Sequence, residues 1–136
     1  MRLIYMGTPA FAVPALQALA SSQHQIVAVV TNPDRPKGRG RRLTPPPVKT
    51  AALDLGLDVW QPEELQSTAF AAQLKTLAVD LFVVVAFSIL PRRLLAVPTY
   101  GCINFFFEPL PVLIYYLLKM NCILSMDTYN LLILCK

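Results

Sequence analysis

The segment DLFVVVAF, residues 80–87, decides the fold class of this chain. From Leu81 onward it is an uninterrupted apolar run rich in β-branched valines, which is typical of a strand buried on both faces of a parallel sheet. Two other runs, RLIYM (2–6) and IVAVVT (26–31), also indicate buried strands, because each stops at a turn-forming residue. The alanine- and leucine-rich segment between them predicts a helix. The start of the chain therefore predicts a βαβ unit and hence a parallel sheet.

Strands and helices continue to alternate along the chain. Helices are predicted for VKTAALDLG (48–56), for PEELQSTAFAAQLKTLA (62–78) in one or two pieces, and for the short PRRLLAV (91–97). Short strands are predicted for LDVW (57–60) and GCIN (101–104). This alternation predicts an α/β fold with a Rossmann-like, doubly wound and mainly parallel sheet.

Length and composition limit the class of protein to which the chain can belong. Its 136 residues suffice for one domain, 55% of them are hydrophobic and 15% are charged, and the net charge is +4. The three cysteines are odd in number and lack metal-ligand spacing, so neither a disulfide framework nor a metal site is predicted. The amino terminus lacks the pattern of a signal peptide, and we expect a cytoplasmic protein.

A basic segment follows the second predicted strand. NPDRPKGRGRRLTPPP (32–47) carries five cations within eight positions, and its prolines and glycines exclude a helix. A loop of this length inside a compact domain is usually functional or disordered. Its charge density is suited to a polyphosphate partner, with nucleic acid as the leading candidate, and the alternative is a solvated basic loop without a partner. The five cations are Arg35, Lys37, Arg39, Arg41 and Arg42.

Three other segments lie where predicted strands end, which is the edge at which open α/β sheets bind ligands. The turn MGTPAF (6–11) begins a helix and is either an anion site or an ordinary βα turn. The backbone of residues 87–90 faces the predicted crevice, although an ordinary hydrophobic turn has the same residue types. Asn104 is either a catalytic amide or a residue that ends a strand. His24 precedes the second strand at the opposite edge and is predicted to be a surface residue.

Four segments, taken in order, resemble the N-terminal half of the methionyl-tRNA formyltransferase family. They are MGTPAFAVPAL (6–16), VVTNPDRPKGRGRRLTPPPVK (29–49), VDLFVVVAFSILP (79–91) and GCIN (101–104). The resemblance covers residues 1–104. Its most specific part is PDRPKGRG followed by LTPPPVK, because the related glycinamide ribonucleotide formyltransferases lack this basic loop.

This resemblance implies a folate-dependent transferase with a Rossmann-like catalytic domain and a C-terminal barrel domain. The family transfers a formyl group from 10-formyltetrahydrofolate to the amino group of methionine on initiator tRNA, and no metal is implied. The tRNA acceptor end contacts the basic loop, and the loop after the central strand lines the folate pocket. The implied tRNA-binding residues are Arg35, Lys37, Arg39, Arg41 and Arg42. The implied folate-binding residues are Phe87, Ser88, Ile89 and Leu90.

The resemblance also implies a catalytic motif, Asn-x-His followed by Ser-Leu-Leu-Pro, whose first residue is Asn104 here. Attack of an amine on a formyl carbon builds negative charge on oxygen, which an amide and an imidazole stabilise while the imidazole carries the proton. This chain departs from the motif, because Phe106 occupies the histidine position and Glu-Pro-Leu-Pro (108–111) replaces Ser-Leu-Leu-Pro. The family's catalytic aspartate is not matched, and no motif supports Asp127 as its substitute.

The composition of the chain changes at residue 105. Residues 105–136 contain no Ala, Gly or Arg, and 22 of these 32 residues are apolar. We predict an incomplete formyltransferase-like domain at 1–104 and, at 105–136, a divergent apolar tail without a C-terminal barrel domain. No strand alternation is predicted in the tail, and a helix only at 112–120. Its longest apolar run, from Leu110, ends at Lys119 and is too short to span a bilayer.

These patterns leave two functions open, and a third interpretation is an unstable by-product without a function. The first is a methionyl-tRNA formyltransferase fragment that is inactive as written, because the catalytic His and Asp are missing. The second is a remnant that binds tRNA or folate without turnover. In either case the expected partners are initiator methionyl-tRNA and folate, and a soluble form is expected to be a monomer.

Overall fold

The computed structural model of the chain describes residues 1–105 and the short segment 132–134. Among these residues the strands are β1 (Arg2–Gly7), β2 (Gln25–Val30), β3 (Arg35–Lys37), β4 (Arg42–Thr44), β5 (Val59–Trp60), β6 (Leu81–Val85), β7 (Cys102–Phe105) and β8 (Leu132–Leu134). The helices are α1 (Val13–Ala20), which follows a single 3-10 turn at Ala10–Ala12, α2 (Pro47–Asp54), α3 (Thr68–Thr76) and α4 (Arg92–Leu95).

Six of these strands form one sheet in the order β5-β2-β1-β6-β7-β8. The first five are parallel, and β8 is antiparallel to β7. All five residues of β6 are buried, as its uninterrupted apolar sequence predicts for a central strand. The predicted doubly wound, mainly parallel α/β fold is confirmed.

Helices cover both faces of the sheet, because alternate side chains of each strand point to opposite faces. On one face Tyr5 and Val83 pack with residues of α1 and α2, such as Leu16 and Val48. On the other face their neighbours in the same strands pack with residues of α3 and α4. The five parallel strands therefore contribute to two apolar clusters, and they lie between two helical layers.

Local sequence explains where the helices begin and end. Pro14 lies in the first turn of α1, where the missing N–H has no helical partner to lose. The side chain of Ser67 caps α3 by accepting a hydrogen bond from the Phe70 N–H at 3.5 Å. This cap explains why α3 begins at Thr68, whereas the sequence predicted helix from residue 62 in one or two pieces.

The basic segment is more ordered than the loop that the sequence predicted. Strand β3 pairs antiparallel with β4, with Arg35 opposite Thr44 and Lys37 opposite Arg42. We call residues 35–45 the basic hairpin. All of its residues are exposed, so no apolar alternation marks its strands in the sequence. This is why sequence patterns indicated only a non-helical loop.

The tail contains one strand that the sequence did not predict. Backbone pairing places β8 beside β7, with Ile133 opposite Ile103. The expectation that no strand organises the tail is therefore wrong for these three residues, because the open edge of β7 offers unpaired N–H and C=O groups to a further strand. The predictions for Phe106, for a helix at 112–120 and for Asp127 lie outside the described residues.

Candidate functional site

We use the name crevice for the edge of the sheet at the carboxyl ends of β1 and β6, where the order of strands reverses. From β1 the chain proceeds outward through β2 and β5, and from β6 it proceeds in the other direction through β7. Gly7 at the end of β1 lies opposite Val85 at the end of β6, and Asn104 lies opposite Val84. The structure thus brings three predicted segments to one edge: the turn after Gly7, the loop at 87–90 and Asn104. This is the position at which open α/β sheets bind ligands.

Gly7 allows the first turn to approach β6 closely. A Cβ atom at this position would lie 3.0 Å from Cε1 of Tyr5, 3.1 Å from the carbonyl oxygen of Val85 and 3.3 Å from Cβ of Ala12. The Tyr5 hydroxyl donates a hydrogen bond to the carbonyl oxygen of Ala12 at 2.6 Å, which closes the turn from inside. Burial raises the pKa of Tyr5, so its hydroxyl remains a neutral donor.

The loop after β6 is anchored at both ends and exposes its middle. Phe87 and Leu90 pack against the apolar cluster that contains α3 and α4. Between them Ile89 is 96% exposed, which is unusual for a large aliphatic side chain. Ala86, the first residue of the loop, has a φ angle of 47°. This left-handed conformation costs a non-glycine residue free energy. Apolar surface and backbone strain at a strand end are features of a binding loop.

Asn104 has a buried oxygen without a partner. Its Oδ1 atom is buried and forms no hydrogen bond with any residue of the described part of the chain. A buried polar atom without a partner calls for an explanation, such as a catalytic role, and Oγ1 of Thr31 and Nδ1 of His24 are two further such atoms among the described residues. Cys102, two positions earlier on the same face of β7, is buried, and burial raises its pKa to about 11. The Cys102 thiol is therefore protonated at neutral pH and is a packing residue rather than a nucleophile.

Asn32, which the sequence reasoning did not select, connects the ends of four strands. Its backbone N–H donates to Oγ1 of Thr8 at 3.4 Å, and its Oδ1 atom accepts from the hydroxyl of Ser88 at 3.5 Å. Its carbonyl oxygen accepts from Nε2 of Gln61 at 2.8 Å. These contacts join the segments that follow β1, β2, β5 and β6. The only signal in the sequence is an Asn-Pro pair at the end of a predicted strand.

The basic hairpin presents its cations to solvent. None of the five forms a salt bridge with the residues that the structure describes, and all are exposed. Because side chains alternate along a strand and directly paired residues share a face, Arg35, Lys37 and Arg42 lie on one face. Lys37 and Arg42 are directly opposite each other, a pairing of like charges that costs stability. The other face carries Pro36 and Leu43.

His24 lies away from the crevice. His24 precedes β2 at the opposite edge of the sheet, as predicted; it is partly buried, and desolvation together with the charged amino terminus lowers its pKa. Within residues 1–105 and 132–134, no three His, Cys, Asp or Glu side chains come together as a metal site would require. No helix in this part of the chain combines the length and apolar character needed to cross a bilayer.

Comparison with solved structures shows the same fold. Glycinamide ribonucleotide transformylase 1 from Symbiobacterium toebii matches 76% of this chain and 50% of its own, with a TM-score of 0.54 and 15% sequence identity. Phosphoribosylglycinamide formyltransferase from Anaplasma phagocytophilum matches 76% of this chain and 48% of its own, with a TM-score of 0.55 and 19% identity. At these identities the likeness supports the fold alone.

Comparison with curated proteins shows much closer sequence relatives. The methionyl-tRNA formyltransferases of Moorella thermoacetica, Pelotomaculum thermopropionicum and Xanthomonas axonopodis pv. citri are 52%, 51% and 54% identical to this chain over 112 residues. These alignments cover 82% of this chain but only 36% of each relative, so the chain spans about a third of their length. The family model described as "Formyl transferase" matches residues 1–111, past the boundary that the sequence predicted at Asn104. The resemblance found in the sequence is confirmed, and the chain belongs to the formyl transferase family.

Proposed function

We propose that the chain is the N-terminal part of a methionyl-tRNA formyltransferase. The complete enzyme would transfer a formyl group from 10-formyltetrahydrofolate to the amino group of methionine on initiator tRNA. The observation that carries this proposal is the identity of 51–54% over 112 residues to proteins with that name, which extends across the basic hairpin and the crevice. No observation favours the alternative of a remnant that only binds tRNA or folate.

The crevice has the properties that a folate requires. A folate is a flat, partly apolar molecule with polar edges, and it would supply the formyl group that is transferred. The exposed side chain of Ile89 gives an apolar surface, and the unpartnered Oδ1 atom of Asn104 gives a polar contact at the same edge of the sheet. We assign folate binding to Phe87, Ser88, Ile89 and Leu90. In this assignment Phe87 and Leu90 hold the loop, while Ser88 fixes its orientation through Asn32.

The catalytic assignment is limited to Asn104. Its side-chain amide can donate a hydrogen bond to an oxygen that gains negative charge, and its position in β7 keeps it fixed relative to β6. A phenyl ring at Phe106 can neither accept nor carry a proton, so this chain lacks the imidazole that the family motif places there. We therefore propose that the chain as written is an enzyme fragment that does not transfer formyl groups at an appreciable rate.

The basic hairpin is assigned to the tRNA acceptor end. Three cations on one face suit a phosphate backbone, and the absence of ion pairs with the described residues leaves their charge available. The cost of placing Lys37 opposite Arg42 is consistent with a surface kept for binding rather than for stability. We also propose that this protein is a cytoplasmic monomer and that it needs no metal.

Binding of methionyl initiator tRNA at several salt concentrations tests this assignment. The triple variant R39A/R41A/R42A should weaken binding and lower the slope of log K against log salt by up to about 2–3, because each phosphate contact releases roughly one counterion. The matched control K75A/R92A/R93A removes three exposed cations from the helices α3 and α4 and should leave most of the slope unchanged. An equal effect of both variants would show that only net charge matters, and an unchanged slope in the hairpin variant would exclude contact of Arg39, Arg41 and Arg42 with phosphates.

A further inference from the structure

We propose that Asp34, Lys49 and Gln61 form a clamp that fixes both ends of the basic hairpin and thereby sets its direction relative to the crevice. The three side chains would act as positioning residues that do not touch tRNA. The consequence for tRNA binding rests on the function proposed above, whereas the effect on the order of the hairpin does not.

The clamp joins the two ends of the hairpin to the edge of the sheet. Asp34 immediately precedes β3, and Lys49 lies in α2, which follows β4. The Nζ atom of Lys49 is 2.9 Å from each carboxylate oxygen of Asp34, so the ammonium donates to both. The Nε2 atom of Gln61, just after β5, donates to Oδ1 of Asp34 and to the carbonyl oxygen of Asn32, each at 2.8 Å. The entry and the exit of the hairpin are therefore held by one carboxylate.

The hairpin has little other support among the described residues. Residues 35–45 are all exposed, so none of them is anchored in the core. Their hydrogen bonds with residues of the described chain are internal, such as the Arg41 N–H to the Gly38 carbonyl oxygen and the β3–β4 pairs. A two-stranded ribbon without a packed face is marginally stable by itself. Its order must come from its ends, which is where the clamp lies.

The clamp also keeps the carboxylate of Asp34 from pairing with the cations of the hairpin. Asp34 is the neighbour of Arg35, and an unpaired carboxylate at this place would attract the cations of the hairpin. The pairing with Lys49 is the one salt bridge among the described residues, and it joins the carboxylate to α2. The hydrogen bond from Gln61, followed by that from Lys49, lowers the pKa of Asp34, which stays ionised at neutral pH.

Limited digestion of the full chain with trypsin tests the clamp without tRNA. The variants are Asp34→Asn, Lys49→Met and Gln61→Ala. The matched controls are Asp58→Asn and Gln66→Ala, two exposed residues whose side chains form no hydrogen bond or ion pair with the described residues. Cleavage after Arg39, Arg41 and Arg42 should accelerate about fivefold in each clamp variant, as expected for the loss of one charge-assisted hydrogen bond. The controls should digest at the rate of the unchanged chain.

Cleavage after Lys75 and Arg93 in the same digests reports global unfolding. It should not change in the clamp variants. Hairpin cleavage in the double variant Asp34→Asn/Lys49→Met should be only slightly faster than in either single variant, because both substitutions remove the same ion pair. Hairpin cleavage that stays at the control rate, or that rises only together with cleavage after Lys75, would overturn the proposal.

Binding of methionyl initiator tRNA to the same variants separates this inference from the proposed function. The clamp variants should bind several-fold more weakly but keep the salt slope, because all five cations remain. Faster hairpin cleavage with unchanged tRNA binding would retain the clamp and overturn its role in tRNA recognition. Unchanged cleavage with a reduced salt slope in R39A/R41A/R42A would retain the proposed function and overturn the clamp.

Discussion

The crevice is built at the ends of strands whose side chains are buried, whereas the basic hairpin has no buried residue from Arg35 to Pro45. In the crevice Asn104 and the loop at 87–90 are placed by the packing of β6 and β7 between two helical layers. In the hairpin the cations are placed by a short ribbon and by the polar contacts at its ends. Packing gives fixed geometry, which a reacting group needs. Exposure gives available charge, which a phosphate backbone needs.

The largest difference should appear when the same substitution is made in both regions. Leu16→Ala, in α1 and fully buried, should lower the free energy of unfolding by about 2–5 kcal/mol, because it removes buried methyl groups and leaves a cavity. Leu43→Ala, in the hairpin and 71% exposed, should change it by less than about 0.5 kcal/mol. Urea denaturation followed by circular dichroism measures both. Similar midpoints for the two variants would contradict the division of the chain into a packed and an unpacked region.

A second comparison replaces one glycine in each region by alanine and measures the stability of the two variants. Gly7→Ala should cost about 1–3 kcal/mol of stability, because its Cβ would meet the backbone oxygen of Val85 at 3.1 Å in a closely packed turn. Gly40→Ala is the control, since no atom lies within 4 Å of a Cβ added there. The same denaturation experiment gives the result. A Gly7→Ala variant as stable as Gly40→Ala would mean that the first turn tolerates a shift away from β6.

The sequence predicted the crevice better than the hairpin for a physical reason. Buried strands such as β6 leave a continuous apolar run in the sequence, and the order of strands and helices then places their ends at one edge. The strands β3 and β4 are three residues each and exposed, so they leave no such pattern. The contact of Asp34 with Lys49 and Gln61 depends on the tertiary fold, because these partners are 15 and 27 positions away in the chain. No local pattern marks such a contact.

The far edge of the sheet gives a third test. With β8 in place, the sheet ends in two short strands, β8 of three residues and β5 of two, which offer few unpaired backbone groups. We therefore expect the full chain to be a monomer. A chain that lacks residues 132–136 should associate, because it exposes the backbone groups of β7, whereas removal of 135–136 alone should have no effect. Size-exclusion chromatography with light scattering distinguishes these states. Identical elution of all three chains would show that β8 does not protect the edge.

The smallest expected effect concerns pH and the order of the hairpin. The pKa of Asp34 is lowered below its ordinary value of 3.8, so the folded state favours its ionised form. The clamp should therefore hold fully above this value and weaken as the pH falls through the lowered pKa, while Lys49 and the cations of the hairpin stay charged. Amide hydrogen exchange of residues 35–45, corrected for intrinsic rates, should show protection above pH 3.8 and its progressive loss as the pH falls below that value. The same pH profile in Asp34→Asn would assign the effect to another group.

Formyl transfer by the full chain tests the central claim, which is the proposal that this chain is an enzyme fragment without the imidazole that moves the proton. The assay supplies 10-formyltetrahydrofolate and methionyl initiator tRNA above their dissociation constants, with the Moorella thermoacetica relative as the positive control. We predict a rate at least about 100-fold below that of the relative, because an imidazole that acts as general acid and base contributes at least that factor. A rate within about tenfold of the relative would show that the chain carries a complete site and would contradict the account.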